Sequence, residues 1–334
     1  MPPFACVGGA WGSELAHVSN DPEVLGLPGR WVAVLPYEGE PQYLLFSRWD
    51  PQRPAGLLDE WRGPDPSRWS SSLTRSEYCA AVESTRQAIA RGDVYQANIC
   101  RVLSAADDRN LTLLGLFDRV NAGNPSPYSA IVHAPQFGLE IVSASPELFL
   151  RRDGRTLTSG PIKGTGRTPS DLLDKDAAEN VMIVDLVRND LSRVCVAGSV
   201  EVPRLLNVEE HPGLVHLVSE VSGVIRPNVT WSDILEATFP PGSVTGAPKS
   251  SALRIIDSLE PGARDVYCGA LGWIESEGEK AELAVTIRTF WRRDGHLHFG
   301  TGAGITWGSD PEAEWRETEL KAQRLIDLAS EGER

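Results

Sequence analysis

Lysine is scarce in this chain. Of its 32 basic side chains only five are lysine (Lys163, Lys175, Lys249, Lys280 and Lys321), and the rest are arginine. Arginine stays charged, whereas lysine can give up its proton and become a nucleophile, so each lysine is a candidate for chemistry. Cysteine is also rare. The five cysteines are odd in number, scattered and free of any C-x-x-C pair, which excludes a disulfide framework and a cysteine zinc site and fits a reducing compartment. No apolar run approaches the roughly 18 residues of a membrane span. The opening residues MPPFACVGGAWGS lack a basic segment followed by a long apolar one, so no signal peptide is expected and the predicted location is cytoplasmic. Positive charge is short overall. A net charge of −14 argues against nucleic acid or an anionic membrane as partner, but leaves room for a small anionic substrate beside local cations.

What is present is ordinary globular composition, 41% hydrophobic and 23% charged. Residues 1–72 are rich in Pro, Gly and Trp with short apolar runs, and are expected to form a β-rich segment packing on a catalytic domain over 73–330. The patterning predicts helices over 74–91, 171–191, 231–238, 248–259 and from Asp310-Pro311 onward. Strands are expected at 94–103, 128–132, 138–143, 205–226, 269–274, 281–290 and 296–300. Strands follow one another instead of alternating strictly with helices. The expected fold class is therefore α+β with large, mostly antiparallel sheets.

Ser159-Gly160-Pro161-Ile162-Lys163-Gly164-Thr165-Gly166-Arg167 reads as a tight loop that presents one lysine. Glu147 ends a strand sixteen positions earlier, a span that suits a hairpin returning an acid to the amine. Two helices carry carboxylates on the side of their apolar stripes. Asp176 and Glu179 share a face with Ile183 and Leu186, while Glu314, Glu317 and Lys321 share one with Leu325 and Leu328. A buried carboxylate needs a cation, and two such pairs on separate helices make an oxygen site for a hard divalent ion, Mg²⁺ before Ca²⁺. The alternative is that both stripes simply run out to solvent.

Pro240–Ser250 departs from a phosphate-binding loop, because Ala247-Pro248 intervenes before Lys249; what remains is a glycine turn feeding a helix N-terminus. Gly300-Thr301-Gly302-Ala303-Gly304 reads as a second glycine turn after a strand. Arg288 ends an alternating strand, Leu283–Arg288, and suits a carboxylate. His216 is flanked by apolar residues, as a core histidine would be.

Nine blocks in order, spanning about residues 74–328, resemble the chorismate-utilising enzymes: GDVYQANI (92–99), SPELFL (145–150), PIKGT (161–165), AENVMIVDLVRNDLSRV (178–194), FPPGSVTGAPK (239–249), YCGALGW (267–273), TIR (286–288), GTGAGI (300–305) and EAEWRETELKA (312–322). In that family two antiparallel sheets pack as a sandwich with helices outside and the active site between them. Lys163, where anthranilate synthases carry alanine, together with Gln96, where isochorismate and salicylate synthases carry a water-activating lysine, resembles the aminodeoxychorismate branch. Anthranilate synthesis is the runner-up, and an inactive homologue acting as a binding protein is the reading from a different class.

The resemblance implies amination of chorismate at C4. Lys163 would attack C2 while Glu147 protonates the leaving hydroxyl; ammonia would then displace the lysine. It further implies Mg²⁺ held by Glu179 and Glu317, with Asp176 and Glu314 orienting its waters. Gln96 and His216 match catalytic positions, and Thr165, Tyr267, Arg288, Gly302, Gly304, Lys249 and Lys321 match substrate-binding ones. No cysteine sits in a G-x-C-x-G elbow, so ammonia is expected from a separate glutamine amidotransferase subunit or from solution. The short segment before the shared region makes a regulatory tryptophan pocket unexpected.

Overall fold

Phe4-Ala5-Cys6-Val7 is buried at every position, which period-two alternation explains only when both faces of a strand are covered. The computed structural model, which describes residues 1–57, 60–107, 112–166, 168, 174–211, 214–275 and 279–330, shows that arrangement. The elements in order are β1 (Phe4–Val7), β2 (Ala10–Ser19), β3 (Arg30–Leu35), β4 (Gln42–Asp50), β5 (Ser70–Ser71), α1 (Arg75–Ala90), β6 (Gln96–Ala106), α2 (Leu114–Gly123), β7 (Tyr128–Ala134), β8 (Leu139–Ser145), β9 (Leu148–Asp153), β10 (Thr156–Gly160) and β11 (Ile162–Gly166). They continue with α3 (Asp174–Ser192), β12 (Glu201–His211), β13 (Leu214–Val224), α4 (Trp231–Thr238), β14 (Gly246–Ala247), α5 (Lys249–Leu259), β15 (Ala270–Glu275), β16 (Lys280–Val285), β17 (Thr289–Arg293), β18 (His296–Ile305) and α6 (Pro311–Ala329).

Every strand pairing is antiparallel, and together they form one curled ladder. One half runs β6–β18–β17–β8–β7–β1–β2, with β5 and β14 on the outer edge of β6. The β2–β4 pairing joins it to the other half, β4–β3–β15–β16–β9–β10–β13–β12, and β11 continues along the β13 edge that β10 occupies. Ala5 and Val7 of β1 face a core that they share with β3, β15 and β16, while Phe4 and Cys6 face a second core against α2 and α6. A third core packs α1 and α5 on Ala97, Ile99, Ala303 and Ile305. The fold is α+β. The strands of residues 1–72 are part of the ladder itself, since β1 lies between β2 and β7 and β3 between β4 and β15. The boundary near 72 divides the chain and not the sheet.

Local signals place the helices. Thr74 and Glu77 cap α1 reciprocally, Thr230 and Asp233 do the same for α4, and Asp310 accepts from the Ala313 amide ahead of Pro311 in α6. Three expectations are corrected. Gly300–Gly304 is no turn: the whole run lies in β18, paired residue for residue with β6. Lys163 sits on β11, so the predicted loop is two strands joined at Pro161, whose carbonyl accepts from the Ser219 amide on β13. The strand expected over 281–290 breaks into β16 and β17 at a kink where Arg288 adopts φ 52°. Among the described residues no helix is long and apolar enough to cross a membrane.

Candidate active site

Two neighbouring strands, β6 and β18, make the floor of the site by alternation. Ala97 and Ile99 point into the core beneath α1 and α5, so Gln96 and Cys100 take the opposite face. On β18 the core side carries Ala303 and Ile305, leaving Gly300, Gly302 and Gly304 on the site side. What replaces their missing side chains is informative. A Cβ on Gly304 would stand 2.2 Å from Nε2 of Gln96 and 3.3 Å from Nζ of Lys163; on Gly302 it would meet Sγ of Cys100, and on Gly300 the ring of Tyr267. The glycines therefore let Tyr267, Gln96 and Lys163 close down on the strand backbone.

Glu147 and Lys163 both approach Ser243, in a one-turn 3₁₀ helix, Gly242–Val244. Nζ of Lys163 donates to the Ser243 carbonyl at 3.1 Å, and the Ser243 hydroxyl favours the charged form of the Glu147 carboxyl. Glu147 precedes β9 and Lys163 follows β10, so the β9–β10 hairpin returns the acid to the amine as their spacing predicts. Glu147 is 4% exposed. Burial raises its pKa, opposed by the Ser243 hydroxyl, Lys163, the Ile162 amide and Arg288. Arg288 faces the same carboxyl from the kink; burial lowers its own pKa and Glu147 opposes that shift. Gln96 is 1% exposed, and neither atom of its amide has a protein partner. An orphaned amide in such a place costs free energy unless a ligand or solvent satisfies it.

The carboxylates gather one step along β18. Nζ of Lys321 donates to the Gly302 carbonyl at 3.1 Å and pairs with Glu317 at 2.6 Å. Desolvation lowers the Lys321 pKa, but Glu317, Glu314 and Glu179 outweigh it and the net shift is upward. Acidic side chains of both α3 and α6 thus act on the charge of this one lysine. Glu314 is buried and Asp176 half-buried, whereas the side chains of Glu317 and Lys321 remain 44% and 43% exposed. Among the described residues no three His, Cys, Asp or Glu side chains stand close enough to hold a metal ion as they lie.

The remaining predicted residues divide. Tyr267 is buried against Gly300, with its pKa raised chiefly by burial. His216 is buried on β13 opposite Thr165 of β11, whose side chain lies outside the described residues. Lys249 is held elsewhere: its ammonium donates to Asp190 at 2.7 Å and to the Thr238 carbonyl at 2.9 Å, binding α5 to α3 and α4. Ser243 escaped the sequence reading. Its only signal is its place in the FPPGSVTGAPK block, since a serine between glycine and valine announces nothing locally.

This chain belongs to the chorismate binding enzyme family, which matches residues 49–327. Relatives within it carry two different names. Anthranilate synthase component 1 of Haloarcula marismortui is 39% identical over 279 residues, covering 80% of this chain and 56% of the relative. Aminodeoxychorismate synthase component 1 of Escherichia coli is 39% identical over 272 residues, covering 78% and 59%. The chain thus spans little more than half the length of these curated relatives. Among solved structures, anthranilate synthase component I from Streptococcus pneumoniae superposes with a TM-score of 0.77 at 24% identity, over 90% of this chain and 81% of that one. The menaquinone-specific isochorismate synthase of Escherichia coli gives 0.80 at 18%, over 98% and 89%. At those identities the two structures speak for the fold alone.

Proposed function

We propose that this protein aminates chorismate at C4 to give 4-amino-4-deoxychorismate. The observation that carries the reading is Lys163, a primary amine set against the unpartnered amide of Gln96 and linked to buried Glu147 through Ser243. Glu147 acts as the general acid. Hydroxide is a poor leaving group, and burial keeps this carboxyl protonated to higher pH than an ordinary glutamate, so it can give its proton to the departing C4 oxygen. Lys163 forms a bond to C2 as the C4 hydroxyl leaves as water. Ammonia then forms its bond at C4, the lysine–C2 bond breaks, and the proton lost by the incoming nitrogen restores Glu147. Arg288, Tyr267 and the Gly302–Gly304 backbone receive the substrate's anionic end, beside His216. Ammonia comes from a separate glutamine amidotransferase subunit.

The donor chemistry near Lys321 suits Mg²⁺: Glu179, Glu314 and Glu317 offer hard carboxylate oxygens from two helices, and all three act on the Lys321 charge. Glu179 and Glu317 would hold the ion, with Asp176 and Glu314 beside them. When bound it supplies positive charge for a substrate carboxylate. Isothermal titration with Mg²⁺ alone tests this, because Glu179→Gln should weaken binding at least tenfold; unchanged affinity would remove Glu179 from the site. Anthranilate formation is the competing reading, favoured by the equal identity to the Haloarcula relative. Product analysis after incubation with chorismate, Mg²⁺ and ammonium separates the two.

A further inference from the structure

Arg264 lies between Glu260 and Asp265, away from the reacting groups, and is 1% exposed. Its Nε and Nη2 donate to Glu260 at 2.8 and 2.6 Å, Nη1 donates to the Val244 carbonyl at 2.9 Å, and Nη2 also reaches the Asn98 carbonyl at 2.6 Å. The guanidinium lies 4.6 Å from the centre of the Tyr37 ring. Glu260 in turn accepts from the Cys100 amide at 2.8 Å. The two carbonyls it grips are well chosen. Val244 follows Ser243, whose carbonyl holds Lys163 and whose hydroxyl lowers the Glu147 pKa, and Asn98 is two positions from Gln96 on β6.

We propose that Arg264 is a positioning residue, a clamp that fixes the Ser243–Val244 turn against β6 and so sets the placement of Lys163 and Glu147. The inference rests on the reading of Lys163 and Glu147 given above. A planar fork with several donors can hold two carbonyls and a carboxylate at once; a lysine at that position keeps the charge and loses the geometry. The Ser243 hydroxyl is the first of the groups that lower the Glu147 pKa, ahead of Lys163, the Ile162 amide and Arg288. Loosening the turn therefore moves Glu147 further upward.

The test compares Arg264→Lys with Arg292→Lys. Arg292 is also a largely buried arginine, 11% exposed and paired with Asp107 at 2.7 Å and Glu140 at 2.8 Å, but it pairs with Leu297 on β18, about 23 Å along the strand from Gly304. Arg264→Lys should lower kcat roughly tenfold to a hundredfold with KM within threefold, and carry the alkaline limb of the pH profile upward. Arg292→Lys should lose thermal stability and keep kcat and the limb. Glu260→Gln loosens the same clamp more gently and serves if Arg264→Lys does not fold. Titration of the Glu147 carboxyl by NMR gives a reading independent of turnover: an upward shift in the clamp variants alone supports the proposal even if chorismate is not the substrate. Equal kcat losses in both arginine variants, or an unmoved Glu147 titration, would overturn it.

Discussion

Replacing Gly304 by alanine is the sharpest steric test of the site. Its φ lies outside the left-handed region, so a methyl group adds no backbone strain, and the effect is one of space. The new Cβ would stand 2.2 Å from Nε2 of Gln96, where ordinary packing begins near 3.4 Å, so the amide must retreat by about 1.2 Å. Gln96 is 1% exposed and has little free space to move into. Overpacking of this kind costs about 1–3 kcal/mol, and a displacement of ~1 Å in a catalytic constellation costs up to ~100-fold in rate. Gly304→Ala should therefore melt a few degrees lower and lose about two orders of magnitude in kcat. Gly308→Ala, which meets nothing within 4 Å, should match the wild type in both. Steady-state kinetics with thermal unfolding measures the pair. A folded Gly304→Ala enzyme with normal kcat would refute the placement of Gln96 and Lys163 against this strand.

Two other perturbations have definite signs. Glu147 has a raised folded-state pKa, so its protonated form contributes stability that is complete below the ordinary glutamate range and is lost as pH rises through the folded value. Glu147→Gln should flatten the melting temperature over that window and abolish turnover; an unchanged pH dependence of melting would contradict the assignment. Asp190→Asn leaves the Lys249 ammonium without its carboxylate in a largely buried pair, with side chains 18% and 9% exposed. Breaking such a pair costs about 3–5 kcal/mol, and denaturant unfolding should show a loss of that order, whereas a loss below about 1 kcal/mol would mean that the pair is effectively solvated.

Local chemistry was legible and long-range chemistry was not. Thr74, Thr230 and Asp310 announce α1, α4 and α6 because a cap and its helix are neighbours in sequence. Helix α2 carries no such signal, because its N-cap is Leu113, whose side chain cannot accept a hydrogen bond. The glycine run of β18 and the Lys163 segment looked like turns because glycine signals turns locally; pairing with β6 and β13, distant in sequence, makes them strands. Helical periodicity puts Glu179 on the apolar side of α3 and Glu314 and Glu317 on that of α6, which is as far as local pattern reaches. It had no access to Ser243 or to the capture of Lys249 by Asp190, fifty-nine residues away.

In the proposed reaction Lys163 is the nucleophile that commits this site to C4 amination. Its most direct test is mass spectrometry of the products, and of the protein, after incubation with chorismate, Mg²⁺ and ammonium, for the wild type and Lys163→Ala. The wild type should give 4-amino-4-deoxychorismate and the variant none, with an adduct on Lys163 trapped when ammonium is withheld. Anthranilate as the main wild-type product, or normal turnover by Lys163→Ala, would contradict it.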